Sequence, residues 1–450
     1  MRVLSGRRPE IMLAAAVLIF ITSLIWRTLP SQMFAPSAGS SEPAPAPLEL
    51  GAARTVEQLQ ERVRRNPDDP SAYAQLGLAL LQRVRETADP SLYTRAEQAF
   101  VEALKRDPQQ IDALAGQGSL ALSRHKFADA LRFGQQAHAL NPYRAEFYGI
   151  IGDAQIELGQ YEAAFDTIQN MVDTRPALNS YSRASYLREL QGDTAGAIAI
   201  MQKAVASGVP GTENMLWTQV QLGHLYFNSG DLRSAEQSYR AALQLRSDYL
   251  YAFAGLARVQ AARGEYQAAI EQYRRVIKTL PLPEFVIALG EVYEANGQIE
   301  EAKQQYDLVR AMQQLNASAG MDVDMELALF DADHPSSDPR AASADPAQAV
   351  ERARASYARR PSIYGADALA WALYQHAEYN EAWRYSQLAL RLGTRDASMH
   401  YHAGMIALAL NDSSSAREHL RQALAINPYF SVRYADPARQ KLAELDKDMK

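Results

Sequence analysis

The sequence of 450 residues contains no cysteine. Disulfides, thiolate metal ligands and cysteine nucleophiles are therefore excluded, and so is a lipid anchor attached to cysteine. The sequence also has no excess of positive charge: it contains 46 basic and 52 acidic residues, and its formal net charge is -6. We therefore expect no nucleic acid as a partner. Hydrophobic residues make up 47% of the chain, so the stability of the fold must come from packing.

Catalytic signatures are scarce. The sequence has no H-E-x-x-H, G-x-S-x-G or G-x-x-x-x-G-K motif. An S-x-x-K match from Ser123 to Lys126 falls on a predicted turn between helices and lacks the companion motifs of serine acylases. His400 and His402 are two residues apart, which directs them to different sides of a helix, whereas metal ligands on one helix are spaced by three or four. We expect neither an enzyme nor a bound cofactor.

An uncharged apolar run occupies residues 11–26, near the N-terminus. It follows Arg2, Arg7 and Arg8, and Arg27 ends it. As a helix the run is about 24 Å long, somewhat less than the roughly 30 Å of a bilayer core. The arginine excess before the run favours a cytoplasmic N-terminus. We expect an uncleaved membrane anchor, with a cleaved signal segment as the alternative.

The predicted anchor or signal segment comprises residues 1–29, and a linker rich in proline, alanine and serine comprises residues 30–54. Such a composition cannot form a core and is typical of a spacer. We therefore expect the remaining chain outside the bacterial cytoplasmic membrane, attached to it by a single pass, or secreted or periplasmic after cleavage.

The remaining chain is periodic. An alanine recurs at intervals close to 34 residues, with one wider gap of 47 residues, and a period near 34 is typical of a two-helix repeat. A glycine precedes most of these alanines, an aromatic residue follows four positions later, and a proline closes many units. The alanines are Ala96, Ala130, Ala164, Ala197, Ala235, Ala269, Ala302, Ala349, Ala382 and Ala416.

This spaced pattern resembles the tetratricopeptide repeat (TPR) over about residues 55–430. The resemblance implies an all-α fold, a right-handed superhelical solenoid of about ten helix-turn-helix repeats. The residues support such hairpins, because Gly159 can end a first helix and Pro176 can stop a second one. One hairpin cannot bury both of its faces, so neighbouring hairpins must stack into a continuous core.

The irregularities of the pattern predict the boundaries. Residues 55–314 form an N-terminal block of repeats and residues 347–430 a C-terminal block. Between them, residues 315–346 form a degenerate repeat with a long turn, and residues 431–450 form a polar capping helix.

The degenerate repeat contains an acidic stretch, residues 320–338. If residues 321–334 form one straight helix, its carboxylates are spread over about 16 Å, too far apart for a single ion. A smaller metal site from Asp331, Asp333 and His334 remains open, beside the alternative of solvated carboxylates. An alternative function follows, a metal- or small-ligand-handling protein with a site around residues 322–334 and 362–374.

The TPR resemblance implies that the first helices of the repeats line a groove that binds an extended peptide or a helix. The candidate residues mix aromatic side chains with an excess of acid, so a partner with apolar and basic residues fits. The candidates are Asp153, Glu157, Tyr186, Glu189, Trp217, His224, Asn228, Tyr251, Arg258, Glu291, Glu294, Asp367 and Trp371. We therefore expect a scaffold that binds a protein or peptide in envelope assembly, secretion or export.

Overall fold

The computed structural model describes residues 48–335 and 346–447. Within these ranges the regular elements are helices, and no β-strand occurs in them. The predicted anchor or signal segment and most of the linker lie outside the described residues. None of the helices that the structure describes is long and apolar enough to span a bilayer.

The chain divides into two compact units. The N-terminal unit contains the described residues 48–184 together with residues 314–323. The C-terminal unit contains residues 185–313, 324–335 and 346–447.

The N-terminal unit is built from seven complete helices and the beginning of α8, to which residues 314–323 are added. The helices are α1 (Leu48–Arg65), α2 (Pro70–Thr87), α3 (Ser91–Arg106), α4 (Ile111–Ser123), α5 (Phe127–Leu140), α6 (Ala145–Glu157), α7 (Tyr161–Thr174) and α8 (Leu178–Leu190).

The C-terminal unit continues the same alternation of first and second helices. Its helices are α9 (Thr194–Ala206), α10 (Glu213–Asn228), α11 (Leu232–Leu245), α12 (Leu250–Ala262), α13 (Tyr266–Thr279), α14 (Pro283–Ala295), α15 (Ile299–Ser318, without its residues 314–318), α16 (Asp324–Asp333), α17 (Pro346–Arg359), α18 (Ile363–Gln375), α19 (Tyr379–Ala389), α20 (Ala397–Ala409), α21 (Ser413–Ile426) and α22 (Ala435–Lys447).

The aromatic residue of the repeat pattern packs against glycines inside the neighbouring first helices. The Tyr239 ring, on second helix α11, lies between Gly223 of α10 and Gly255 of α12. A Cβ atom at either glycine would come within 2.4 or 2.5 Å of the ring. Phe100 lies in the same way between Gly77 and Gly116. One fully buried ring therefore joins two successive first helices.

The first helices end as the glycine pattern predicts. Gly159 follows α6 and Gly230 follows α10, with φ angles of +69° and +82°, in the left-handed region that glycine adopts without steric strain. His125, Ala377 and Asn411 occupy the same place in other repeats and take φ angles of +57°, +64° and +62°. The backbone turn is therefore kept where the glycine is absent.

Two helix boundaries differ from those expected. Helix α1 begins at Leu48, so residues 48–54 are helical although they were assigned to the linker. Helix α16 covers only Asp324–Asp333, because the backbone of Asp322 is held elsewhere in the N-terminal unit: its N–H donates to the Arg124 carbonyl at 2.8 Å. The predicted capping helix is present as α22.

Candidate functional site: a groove across three first helices

Three successive first helices of the C-terminal unit, α10, α12 and α14, form the wall of a cavity of about 50 Å³. Three of the predicted groove residues, His224, Tyr251 and Arg258, line this cavity. We call this face of the three helices the central groove. The structure therefore brings together candidates from two consecutive repeats.

Other lining residues of the central groove were not predicted. Phe227, Glu284 and Phe285 contribute to the wall of the cavity. Glu284 could have been predicted from the sequence, because it lies seven residues before the predicted groove residue Glu291 and therefore on the same face of α14.

Arg258 is the cation of the central groove. Its guanidinium carbon lies 3.8 Å from the centre of the Phe227 ring, and its Nη2 donates to Asn228 Oδ1 at 3.3 Å. Asn228 in turn donates to Glu189 Oε1 at 3.3 Å. A polar chain therefore runs from the cavity to the carboxylate on α8.

Burial shifts the protonation of the groove residues. It raises the pKa of Glu189 to about 7, and the neighbouring Asp396 carboxylate acts in the same direction. Burial also raises the pKa of Glu284 to about 7. The His224 ring is buried beside the Arg258 cation, which lowers its pKa to about 3 and keeps it neutral, and its Nδ1 lies 2.8 Å from the Tyr239 hydroxyl.

The acidic end of the central groove lies at the C-terminal end of α14. Glu294 accepts a hydrogen bond from the Tyr306 hydroxyl at 2.9 Å. Glu291 is fully buried, and its Oε1 lies 3.3 Å from His334 Nε2. Arg433, from the segment before α22, lies 3.3 Å from Glu294 and 4.0 Å from Glu291. The carboxylates of α14 therefore face a cation from the same chain.

The remaining groove candidates are buried among side chains of their own unit. In the N-terminal unit, Asp153 accepts two hydrogen bonds from Arg183, at 2.8 and 2.7 Å, and Glu157 is also buried. In the C-terminal unit, Tyr186 and Trp217 belong to the core. Their role in partner binding stays a prediction.

Asp367 and Trp371, on α18, form a separate polar cluster. Asp367 contacts His402 Nδ1 at 2.9 and 3.0 Å, and the Trp371 ring stacks on the same imidazole with 4.3 Å between ring centres. The Trp371 indole nitrogen donates to Asp333 Oδ1 at 2.9 Å. This hydrogen bond joins the two segments that were named for the alternative function, residues 322–334 and 362–374.

The three candidate metal ligands have other neighbours. Asp331 accepts a hydrogen bond from Arg352 at 2.7 Å, and Arg433 Nη1 lies 2.8 Å from His334 Nδ1. Burial and the nearby arginines lower the pKa of His334 far below its ordinary value. Among the residues described, no three histidine, aspartate or glutamate side chains are grouped so that they could hold a metal ion.

Family models identify the kind of repeat in two parts of the chain. Two models of the tetratricopeptide repeat match residues 220–282, which contain α12 and part of α10, and residues 397–430. The hairpins and these matches define an α-helical repeat protein. More specifically, the chain contains tetratricopeptide repeats in these two segments, which confirms the resemblance seen in the sequence.

The chain is similar to part of two curated proteins. It is 25% identical over 244 residues to cellulose synthase 1 operon protein C of Komagataeibacter xylinus. The matched region is 54% of this chain and 16% of that protein. It is 24% identical over 194 residues to human protein O-mannosyl-transferase TMTC1. Here the matched region is 41% of this chain and 21% of that protein. This chain thus spans a small part of the length of either relative.

Among solved structures, the human IFIT1 dimer with PPP-AAAA is similar at a TM-score of 0.47 and 17% identity, over 75% of this chain and 77% of that one.

Proposed function

We propose that this protein is a non-catalytic TPR scaffold that holds a protein or peptide partner in the central groove. The observation that carries the proposal is the cavity between α10, α12 and α14, which aromatic side chains line together with Arg258 and Glu284. Aromatic and arginine side chains are enriched among the residues that dominate protein interfaces.

The size of the cavity favours a partner's side chain over a bound metabolite. Sites for small molecules usually have volumes of about 300–1,000 Å³. The cavity here measures about 50 Å³, enough for part of one side chain.

The charges of the central groove favour a basic partner. Glu284, Glu291 and Glu294 all lie on α14, and Arg258 is the cation that lines the cavity. Because the pKa of Glu284 is raised to about 7, an approaching arginine or lysine would also draw this carboxyl into its charged form. Charge complementarity of this kind steers association and selects the partner.

We further propose that the protein acts on the outer side of a bacterial cytoplasmic membrane, in envelope assembly, secretion or export. The apolar run at residues 11–26 and the arginines before it support a membrane anchor. The similarity to an operon protein of cellulose synthase supports a role connected with the cell envelope.

A crosslinking pull-down from membranes, with the full chain and its N-terminus intact, tests the proposal. We expect Tyr251→Ala to lose at least nine tenths of a captured protein, because the variant removes an aromatic wall of the cavity. Tyr143→Ala is the matched control, since Tyr143 is 86% exposed and lies in the N-terminal unit. Equal capture by both variants would contradict the assignment of the groove.

A further inference from the structure

A segment of the chain itself crosses the central groove. Residues 427–434 connect α21 with α22. At the start of this segment, the Asn427 side-chain amide donates to the Phe227 carbonyl at the end of α10, at 2.9 Å. Pro428 packs beside Gly230, with 3.2 Å between its Cδ and the position of a Cβ at that glycine. The segment is thereby fixed at one end of the groove.

The middle of the segment covers the cavity. Residues 429–432 line it opposite Tyr251 and Phe285. Phe430 is buried, whereas Tyr429 at the mouth is 38% exposed. Aromatic side chains of the segment thus occupy the position where a partner would have to place its own.

The end of the segment provides the basic residue. Arg433 Nη2 lies 3.3 Å from Glu294, and Arg433 Nη1 donates to His334 Nδ1 at 2.8 Å. The His334 ring also lies beside Glu291, with 3.3 Å between His334 Nε2 and Glu291 Oε1. Arg433 thus lies close to the two carboxylates at the C-terminal end of α14, at 3.3 Å from Glu294 and 4.0 Å from Glu291.

We propose that residues 427–434 are a built-in competitor for the central groove, and that the partner is a protein segment in which an aromatic residue precedes an arginine by three or four positions. The inference rests on the proposed function. In the internal segment, Phe430 precedes Arg433 by three positions and Tyr429 precedes it by four. The carboxylates close to Arg433 are those of Glu291 and Glu294. A partner binds only when the internal segment leaves the groove. The apparent affinity is therefore the intrinsic affinity of the open groove multiplied by the fraction of molecules that are open.

The absence of cysteine allows a direct measurement of segment release. Ser431 is 5% exposed, and Ser431→Cys places the only thiol of the full chain on the segment. We expect slow labelling with a disulfide reagent, and a rate at least tenfold higher when Arg433→Ala removes the ionic contact. Arg240→Ala, whose side chain is 63% exposed, is the control and should leave the rate unchanged.

A second cysteine position separates local release from unfolding. Ser386 on α19 is 1% exposed and lies outside the segment. Labelling of Ser386→Cys should not respond to Arg433→Ala. If both positions become reactive together, or if neither does, the segment is not an independently released competitor and the inference is wrong.

The second arm of the experiment measures the ligand. The probe is a fluorescent peptide with the sequence of residues 427–434, NPYFSVRY. We expect Arg433→Ala in the full chain to bind it at least tenfold more tightly than the wild-type chain, and Glu294→Gln to reverse the gain. Equal binding by wild type and Arg433→Ala shows an open groove, which overturns the competitor and leaves the proposed function intact. Faster labelling of Ser431→Cys without peptide binding to any variant overturns the partner class, whereas capture in membranes tests the proposed function separately.

Discussion

Replacing Asp153 by alanine tests whether this predicted groove residue belongs to the interior of the N-terminal unit. Arg183 and Asp153 form two hydrogen bonds, at 2.8 and 2.7 Å, and the side chains are 0% and 2% exposed. Removing the carboxylate leaves a buried guanidinium without this counter-ion, which typically costs about 3–5 kcal/mol. For a unit of this size each kcal/mol lowers the melting temperature by about 2–4 °C, so we expect a decrease on the order of 10 °C.

Thermal unfolding followed by circular dichroism measures this loss. The double variant Asp153→Leu, Arg183→Met should recover most of it, because apolar residues can replace a buried ion pair without a net cost. Arg188→Ala is the control: its ion pair with Asp193 is 48% and 45% exposed, and such pairs contribute about 1 kcal/mol or less. If Asp153→Ala leaves the melting temperature unchanged while partner capture falls, the carboxylate is an exposed binding group and our reasoning is refuted.

Three further predictions concern the C-terminal unit. Gly255→Ala places a methyl group within 2.5 Å of the Tyr239 ring, so urea titration should show a loss of about 1–3 kcal/mol, and an unchanged midpoint would contradict the ring packing. Burial raises the pKa of Glu189 to about 7 and that of Asp396 to about 6, so these two carboxyls bind more protons in the folded chain than in the unfolded chain between about pH 4 and 7. The urea midpoint of the wild type relative to that of Glu189→Gln should therefore fall as the pH rises through this range, because the variant lacks this titrating carboxyl; a difference that does not change with pH would be inconsistent with the buried carboxyl. In a thermal-shift assay with Zn²⁺, wild type and Asp331→Ala should respond equally because an arginine already engages that carboxylate, whereas a shift present in the wild type alone would support the metal site.

Much of the fold could be predicted because the repeat pattern encodes contacts between neighbouring hairpins. Ala96, Ala130 and Ala164 are fully buried, as a small residue at a close helix contact must be. The left-handed φ angle at Gly159 likewise depends on local backbone sterics. Such contacts recur at a fixed spacing, so one sequence is enough to reveal them.

Contacts between distant repeats could not be predicted, because they follow no period. The hydrogen bond from Asn427 to the Phe227 carbonyl joins residues 200 positions apart. Thr394 likewise donates its hydroxyl hydrogen to the Leu190 carbonyl. A pattern with a period of about 34 residues describes each repeat and its neighbours, and it contains no signal for such docking.

The acidic stretch shows the same limit. Its carboxylates are visible in the sequence, but arginines that contact them come from a later part of the chain, in α17 and just after it. Arg352 contacts Asp331, and Arg360 of the C-terminal unit contacts Glu326 at 2.9 Å. An arginine in a helical repeat has no spacing that distinguishes a buried counter-ion from a solvated surface residue.

Site-specific photocrosslinking tests the central claim most directly. A benzophenone amino acid replaces Tyr251 in the central groove, or Tyr143 as the exposed control, in the full chain within membranes. We expect a discrete protein adduct from position 251 that grows at least tenfold with Arg433→Ala and is absent from position 143. An adduct from position 143 alone would contradict partner binding in the central groove, and a yield at position 251 that does not respond to Arg433→Ala would contradict the internal competitor.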